Sequence, residues 1–185
     1  MLVILQIFLY SIKLFFLISD LKLDNILLDS KGNAKICDFG ICYYLKPNQK
    51  LKGLCGTAQY IAPEIYEKSY DYSVDFWSLG IAIFRLFSSE FPFNANTSFG
   101  TIEKSVRADP LPKINEIRHK NYPEIKEISN SGCDIIEKLL NKNPDERLGS
   151  KANPQNIKDH PFFSSINWSK LENGEIDPPI KPNVN

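Results

Sequence analysis

Asp20-Leu21-Lys22-Leu23-Asp24-Asn25 leads into two short apolar runs, Ile26-Leu27-Leu28 and Ala34-Lys35-Ile36-Cys37, separated by Asp29-Ser30-Lys31-Gly32-Asn33 and followed by Asp38-Phe39-Gly40. Short runs flanking a cluster of turn-forming residues predict a β-hairpin. Its mouth carries a carboxylate (Asp20), an ammonium (Lys22) and an amide (Asn25), and its exit a second carboxylate (Asp38). Phosphoryl transfer from Mg-ATP needs a set of this kind. One carboxylate accepts a hydroxyl proton, a cation steadies the moving phosphoryl group, and an amide oxygen plus a carboxylate hold the metal. Hard oxygen ligands suit Mg²⁺ rather than zinc. The plain alternative is a solvated turn with these residues by chance.

Three landmarks further along weigh against chance. Ala62-Pro63-Glu64 closes a segment that begins at Asp38, Asp75-Phe76-Trp77-Ser78-Leu79-Gly80 opens a nearly all-apolar run over 73–87, and Asn143-Pro144-Asp145-Glu146-Arg147-Leu148-Gly149 follows. With these the chain resembles the protein kinase superfamily, whose catalytic loop reads H-R-D-L-K-x-x-N and whose magnesium loop reads D-F-G. The resemblance implies Asp20 as catalytic base and Lys22 as the phosphate and hydroxyl contact. It implies Asn25 and Asp38 as Mg²⁺ ligands, and Leu27 and Cys37 at the adenine pocket of ATP. It makes Asp24 and Thr57 substrate contacts, pairs Glu64 with Arg147, and places Asp75 on the backbone of the catalytic loop. An ionisable residue in a helix that is apolar on all sides needs such a partner.

The run 73–87 predicts a buried helix. Ser131-Gly132-Cys133-Asp134 predicts a capped start to a second, whose Ile135, Ile136, Leu139 and Leu140 share one face. Asn153-Pro154 predicts the start of a third. The expected fold class is mainly α with one small β-hairpin, a protein kinase-like fold confined to the C-terminal lobe. His160-Pro161-Phe162-Phe163, with Ile166, Trp168, Leu171 and the prolines at 178–182, resembles the entry to the C-terminal tail of AGC kinases, the group of protein kinases C and B. The expected organisation is an apolar segment 1–19, a kinase C-lobe 20–163, and the start of an AGC-type tail 164–185.

The chain also departs from that family. Ile18-Ser19-Asp20 stands where the family has H-R-D, so the Arg that grips activation-loop phosphate is replaced by Ser19. Gly53 occupies the place of the phosphorylated Thr, so both halves of one charge-assisted contact are missing together and no phosphorylation switch is expected there. Of three acidic positions by which AGC kinases hold substrate arginines, Asp24 survives, whereas the others read Gln59 and Arg85. A cation at Arg85 repels a basic substrate residue. No G-x-G-x-x-G, no V-A-I-K-like strand and no helix carrying its paired Glu occurs in the 185 residues, so the chain alone is not expected to phosphorylate efficiently.

Residues 1–18 hold thirteen Leu, Ile, Val and Phe residues, with Lys13 the only charge. A membrane span, a signal peptide and a buried helix all suit such a run, although no basic residue precedes it and no small-x-small cleavage site follows. The expectation is a divergent core helix leading into a short strand, with Phe8, Tyr10, Leu17 and Ile18 in the core, or else translated sequence from a faulty gene start; an anchor ending beside Asp20 fits least. The 22 basic and 22 acidic residues cancel, which excludes a polybasic nucleic-acid arm. Cys37, Cys42, Cys55 and Cys133 form no C-x-x-C pair, so reduced thiols and a cytoplasmic, intracellular setting are expected. The function expected is ATP- and Mg²⁺-dependent transfer to Ser/Thr of protein substrates. The alternative is an inactive pseudokinase-like or regulatory fragment that binds protein partners.

Overall fold

The computed structural model describes residues 16–46, 48–93, 107, 113–116, 128–150, 153 and 155–182. The expected helix or anchor over 1–15, with Phe8 and Tyr10, lies outside the described residues, as do Pro154 and the chain end 183–185.

β1 (Phe16–Leu17) is a short strand, and β2 (Ile26–Leu28) pairs antiparallel with β3 (Ala34–Ile36), Leu27 opposite Lys35. The turn between β2 and β3 closes because Asp29 Oδ1 accepts from the backbone N–H of Lys31 (3.0 Å) and of Asn33 (2.8 Å), a side chain standing in for a backbone turn. A second pair, absent from the sequence reading, joins β1 to β4 (Tyr43–Tyr44) with Phe16 opposite Tyr44. Among the described residues the β part is therefore two two-stranded sheets rather than one hairpin. The sequence leads one to expect a short strand before Asp20, but a two-residue strand is too short to show alternation, so the sequence conceals β4 and the pairing.

Among the described residues the helices are α1 (Pro63–Tyr66), α2 (Ser73–Ser88), α3 (Asn130–Leu139), α4 (Gln155–Lys158) and α5 (Trp168–Glu172). The α2 segment starts where Asp71 Oδ1 accepts from Ser73 N–H and ends at Ser89, whose left-handed backbone returns its N–H to the Arg85 carbonyl. From Ser73 to Phe84 every side chain of α2 is buried, which accounts for its lack of a polar stripe. The core gathers Phe76, Trp77, Ile81 and Phe84 of α2 against Cys133, Ile136 and Leu139 of α3, and Leu17, Ile18 and Leu21 join the same cluster.

The α3 start differs from the sequence reading in one detail. Its cap is Ser129, whose Oγ accepts from Gly132 N–H at 3.1 Å, whereas Ser131 already lies inside the helix. Ser129, Asn130 and Ser131 are all cap-forming types, and the geometry that satisfies the N3 amide selects the first. Towards the C-terminus, His160 caps a single turn over Pro161–Phe163, and Phe163 packs edge-on to Trp168 at 5.7 Å between centroids.

Candidate active site

The loop between β1 and β2 is held from beneath by α2. Asp75, wholly buried, accepts from Ile18 N–H at 2.7 Å and from Ser19 N–H at 3.0 Å. Those two bonds bend the chain so sharply that Ser19 sits at φ 64, a conformation non-glycine residues adopt at a cost. Burial pushes the Asp75 carboxyl up to about 7, opposed by the two backbone donors.

The bend delivers Asp20, whose two carboxylate oxygens divide the work. Oδ1 accepts from Thr57 N–H (2.9 Å) and from Thr57 Oγ1–H (2.6 Å), whereas Oδ2 accepts from Lys22 Nζ (2.7 Å) and from Asn25 Nδ2 (3.3 Å). Lys22 Nζ also reaches Thr57 Oγ1 at 2.9 Å. Burial alone would raise the Asp20 pKa, but the bonds from Lys22 and Thr57 outweigh it and hold the carboxyl below its ordinary 3.8. The Lys22 ammonium is correspondingly raised, chiefly by its hydrogen bond to Asp20, with Asp24 and Asp38 contributing through their charges.

Thr57 can approach because Gly56 sits at φ +93, with its Cα face against the Ser19 carbonyl; a Cβ there would lie 2.6 Å from that oxygen. Asn25, buried in the short turn after Lys22, spends its amide hydrogens on the Asp20 carbonyl (3.0 Å) and carboxylate. Its Oδ1 is thereby turned to the opposite side of the amide, while its backbone carbonyl accepts from Cys37 N–H at 2.9 Å. That last bond brings the start of the Asp38 loop against the Asp20 loop. Asp38 itself stands at φ 61, a second strained non-glycine residue of the kind that collects at functional sites. A neutral amide oxygen and a carboxylate on adjoining loops are hard donors of the type Mg²⁺ takes.

The remaining residues singled out from the sequence are spread between the β2–β3 region and the helical part. Leu27 lies in β2 and is exposed, Asp24 is exposed in the loop, and Cys37 is half-buried with its thiol 3.4 Å from the Asn25 carbonyl. At the Ala62-Pro63-Glu64 end of the segment that begins at Asp38, Arg147 meets Glu64 in a two-pronged contact, Nη1 to Oε1 at 2.5 Å and Nη2 to Oε2 at 2.9 Å. Nε of the same Arg donates to the Asn141 carbonyl and Nη1 to that of Ser73, and its plane lies 5.2 Å from the Trp77 ring centroid. The two residues that depart from H-R-D and from the phosphorylated Thr have no contact with each other: Ser19 Oγ is buried without a hydrogen-bond partner, and Gly53 faces open space.

One link within the site does not follow from the sequence. Tyr60 Oη accepts from Leu23 N–H at 3.4 Å and from Arg85 Nη1 at 2.8 Å, so it links the catalytic-type loop to α2. A buried Tyr needs a partner for its hydroxyl, but sequence alone does not say which.

A family model described as the protein kinase domain matches residues 3–163. The chain belongs to the protein kinase family. Protein kinase C delta type of Mus musculus is 41% identical over 170 residues, covering 89% of this chain and 23% of that protein. Serine/threonine-protein kinase sck1 of Schizosaccharomyces pombe is 38% identical over 168 residues with the same coverage, and protein kinase C of Drosophila melanogaster 38% identical over 167 residues. These relatives place the chain in the AGC-type part of the superfamily, and it spans about a quarter of their length. None of the helices among the described residues is long and apolar enough to cross a membrane.

Proposed function

We propose that this kinase chain supplies the catalytic loop for moving the ATP γ-phosphate to Ser or Thr of protein substrates. The observation that carries the proposal is the Asp20 carboxylate clamped between Thr57, Lys22 and Asn25. A carboxylate held below its ordinary pKa is a weak base, which suits a loose transition state where the hydroxyl proton leaves late. Asp20 orients the incoming hydroxyl and takes its proton. Lys22, bonded to both Asp20 and Thr57, sets a positive charge beside the phosphoryl oxygens, where it stabilises charge without reorganising. Asp24 and Thr57 border the same loop on the substrate side.

Asn25 Oδ1 and the Asp38 carboxylate would hold Mg²⁺, which neutralises charge on the phosphates when bound. Leu27 and Cys37 line the adenine side. The division proposed is a kinase lobe over 20–163 with a tail from 164 onward, in an intracellular, cytoplasmic protein whose thiols stay free. Titrating the chain with ATP in the presence and absence of Mg²⁺ tests the reading. Binding that Mg²⁺ strengthens, and that Asp38→Ala makes metal-independent, supports it; binding indifferent to Mg²⁺, or none, contradicts it.

A second reading, a regulatory fragment that engages a protein partner, is favoured by the exposed Leu27, Leu28 and Phe39 around the β2–β3 hairpin and by the exposed Tyr43 and Tyr44. It predicts partner binding that survives Asp20→Asn.

A further inference from the structure

Arg85 is a cation whose charge has no match among the described residues. Its Nη1 donates to a neutral phenol, Tyr60 Oη, at 2.8 Å, its Cζ lies 4.3 Å from the centroid of the Phe91 ring, and its Nε is buried with no acceptor among the described residues. No carboxylate of the described residues forms an ion pair with it, whereas the buried Arg147 is fully paired. Arg85 is half-buried, and the planar fork of a guanidinium in that position favours a carboxylate or a phosphate gripped by two parallel bonds.

The location says which anion. Tyr60 Oη also accepts from Leu23 N–H, in the loop that carries Asp20. The path from Asp20 through Leu23 and Tyr60 to Arg85 is at most about 20 Å, so an extended peptide with its hydroxyl at Asp20 reaches Arg85 within about six residues. We infer that Arg85, aligned by Tyr60 and Phe91, is a specificity-determining anchor for an acidic side chain of the substrate, Asp, Glu or a phosphorylated residue, within six residues of the phosphoacceptor. The inference rests on the kinase reading of the Asp20 loop. A cation held at this point selects against Arg and Lys in the substrate as well as for an anion.

The test is fluorescence anisotropy of labelled Ser-containing peptides on the full chain. Each peptide carries Glu, phosphoserine, Ala or Arg at one position within six residues on either side of the Ser. At one position at least, the Glu or phosphoserine peptide is expected to bind about tenfold more tightly than the Arg peptide, the margin of one well-placed charge-assisted contact, and the advantage shrinks with added salt. The Glu and phosphoserine arms show whether the anion taken is a carboxylate or a phosphate. Arg85→Gln abolishes the advantage, Arg85→Lys retains part of it, and Arg85→Glu inverts it. An Arg peptide that binds as well as its acidic counterparts, an acidic advantage that persists in Arg85→Gln, or no peptide binding at all overturns the inference. Mg-ATP titration of the same samples separates the two claims. Intact Mg-ATP binding without charge discrimination removes the anchor and leaves the kinase reading, whereas discrimination without Mg-ATP binding overturns the kinase reading and with it the role of Arg85 as a substrate anchor.

Discussion

Replacing Glu64 by Gln in the buried Glu64–Arg147 contact leaves a guanidinium 1% exposed with no counter-charge, although one acceptor oxygen remains for Nη1 or Nη2. Replacing Arg147 by Met removes more. The Glu64 carboxylate, 4% exposed, loses its cation, and the carbonyls of Asn141 and Ser73 lose their donors together. Breaking a buried pair from one side costs about 3–5 kcal/mol, and the orphaned carbonyls put Arg147→Met at the upper end and Glu64→Gln at the lower. In a chain of 185 residues, each kcal/mol lowers Tm by about 2–4 °C, so the falls span about 6–20 °C. Urea unfolding followed by tryptophan fluorescence measures this, since Trp77 lies beside the Arg147 plane and stacks on Phe93. The double variant should cost about 2 kcal/mol or more less than the sum of the single ones, because removing both charges leaves neither stranded. Strict additivity would mean the two groups do not stabilise each other, and the reasoning would fail.

Asp75→Asn should change how stability depends on pH. The folded carboxyl at about 7 lies above its unfolded 3.8, so the folded state keeps the proton between those values, and this group's contribution is lost as pH rises from about 4 to 7. The difference between the wild-type and Asp75→Asn unfolding energies should thus shift against the wild type by up to about 4 kcal/mol across that window; a flat difference would contradict it. Thr57→Val removes one acceptor for Lys22 and one donor to Asp20, so the Asp20 pKa, read by carboxyl-carbon NMR, should move upward, and an unchanged value would show that Thr57 Oγ1 does not hold it down. Gly56→Ala should cost about 2–3 kcal/mol in chemical denaturation because its Cβ meets the Ser19 carbonyl, whereas Gly53→Ala, strained in φ alone, should cost about 1–2. Equal costs would show that the close approach of Thr57 to Asp20 does not depend on the missing side chain.

The parts of this structure that sequence revealed are those that one local pattern or one ionisable residue in an apolar setting betrays. The β2–β3 hairpin announces itself through two apolar runs around an Asp-led turn, and α2 through an apolar run too long and too uniform for a surface helix. Asp75 stands out because a charge in such surroundings must meet a partner, whereas Arg147, in the polar stretch 143–149, is picked out only by the resemblance to the kinase family. What stayed hidden depends on three-dimensional closure. The β1–β4 pairing involves two residues on each side, the choice of Ser129 over Ser131 as cap depends on which amide is left unbonded, and the bridge from Leu23 through Tyr60 to Arg85 joins residues far apart in the chain. Arg85 showed in the sequence as a cation where the resemblance to AGC kinases implies an acidic residue, but its unmatched Nε and its seat over Phe91 are matters of packing.

The most direct measurement grafts residues 20–163 of this chain in place of the matching segment of protein kinase C delta type, to which the chain is 41% identical over their alignment, and follows γ-phosphate transfer to a Ser/Thr peptide. The account predicts that the graft transfers phosphate and that Asp20→Asn within it lowers the rate by about 10²–10⁴, the usual contribution of a positioned acid or base. A graft that binds Mg-ATP but transfers nothing, or one whose rate ignores Asp20→Asn, would contradict it.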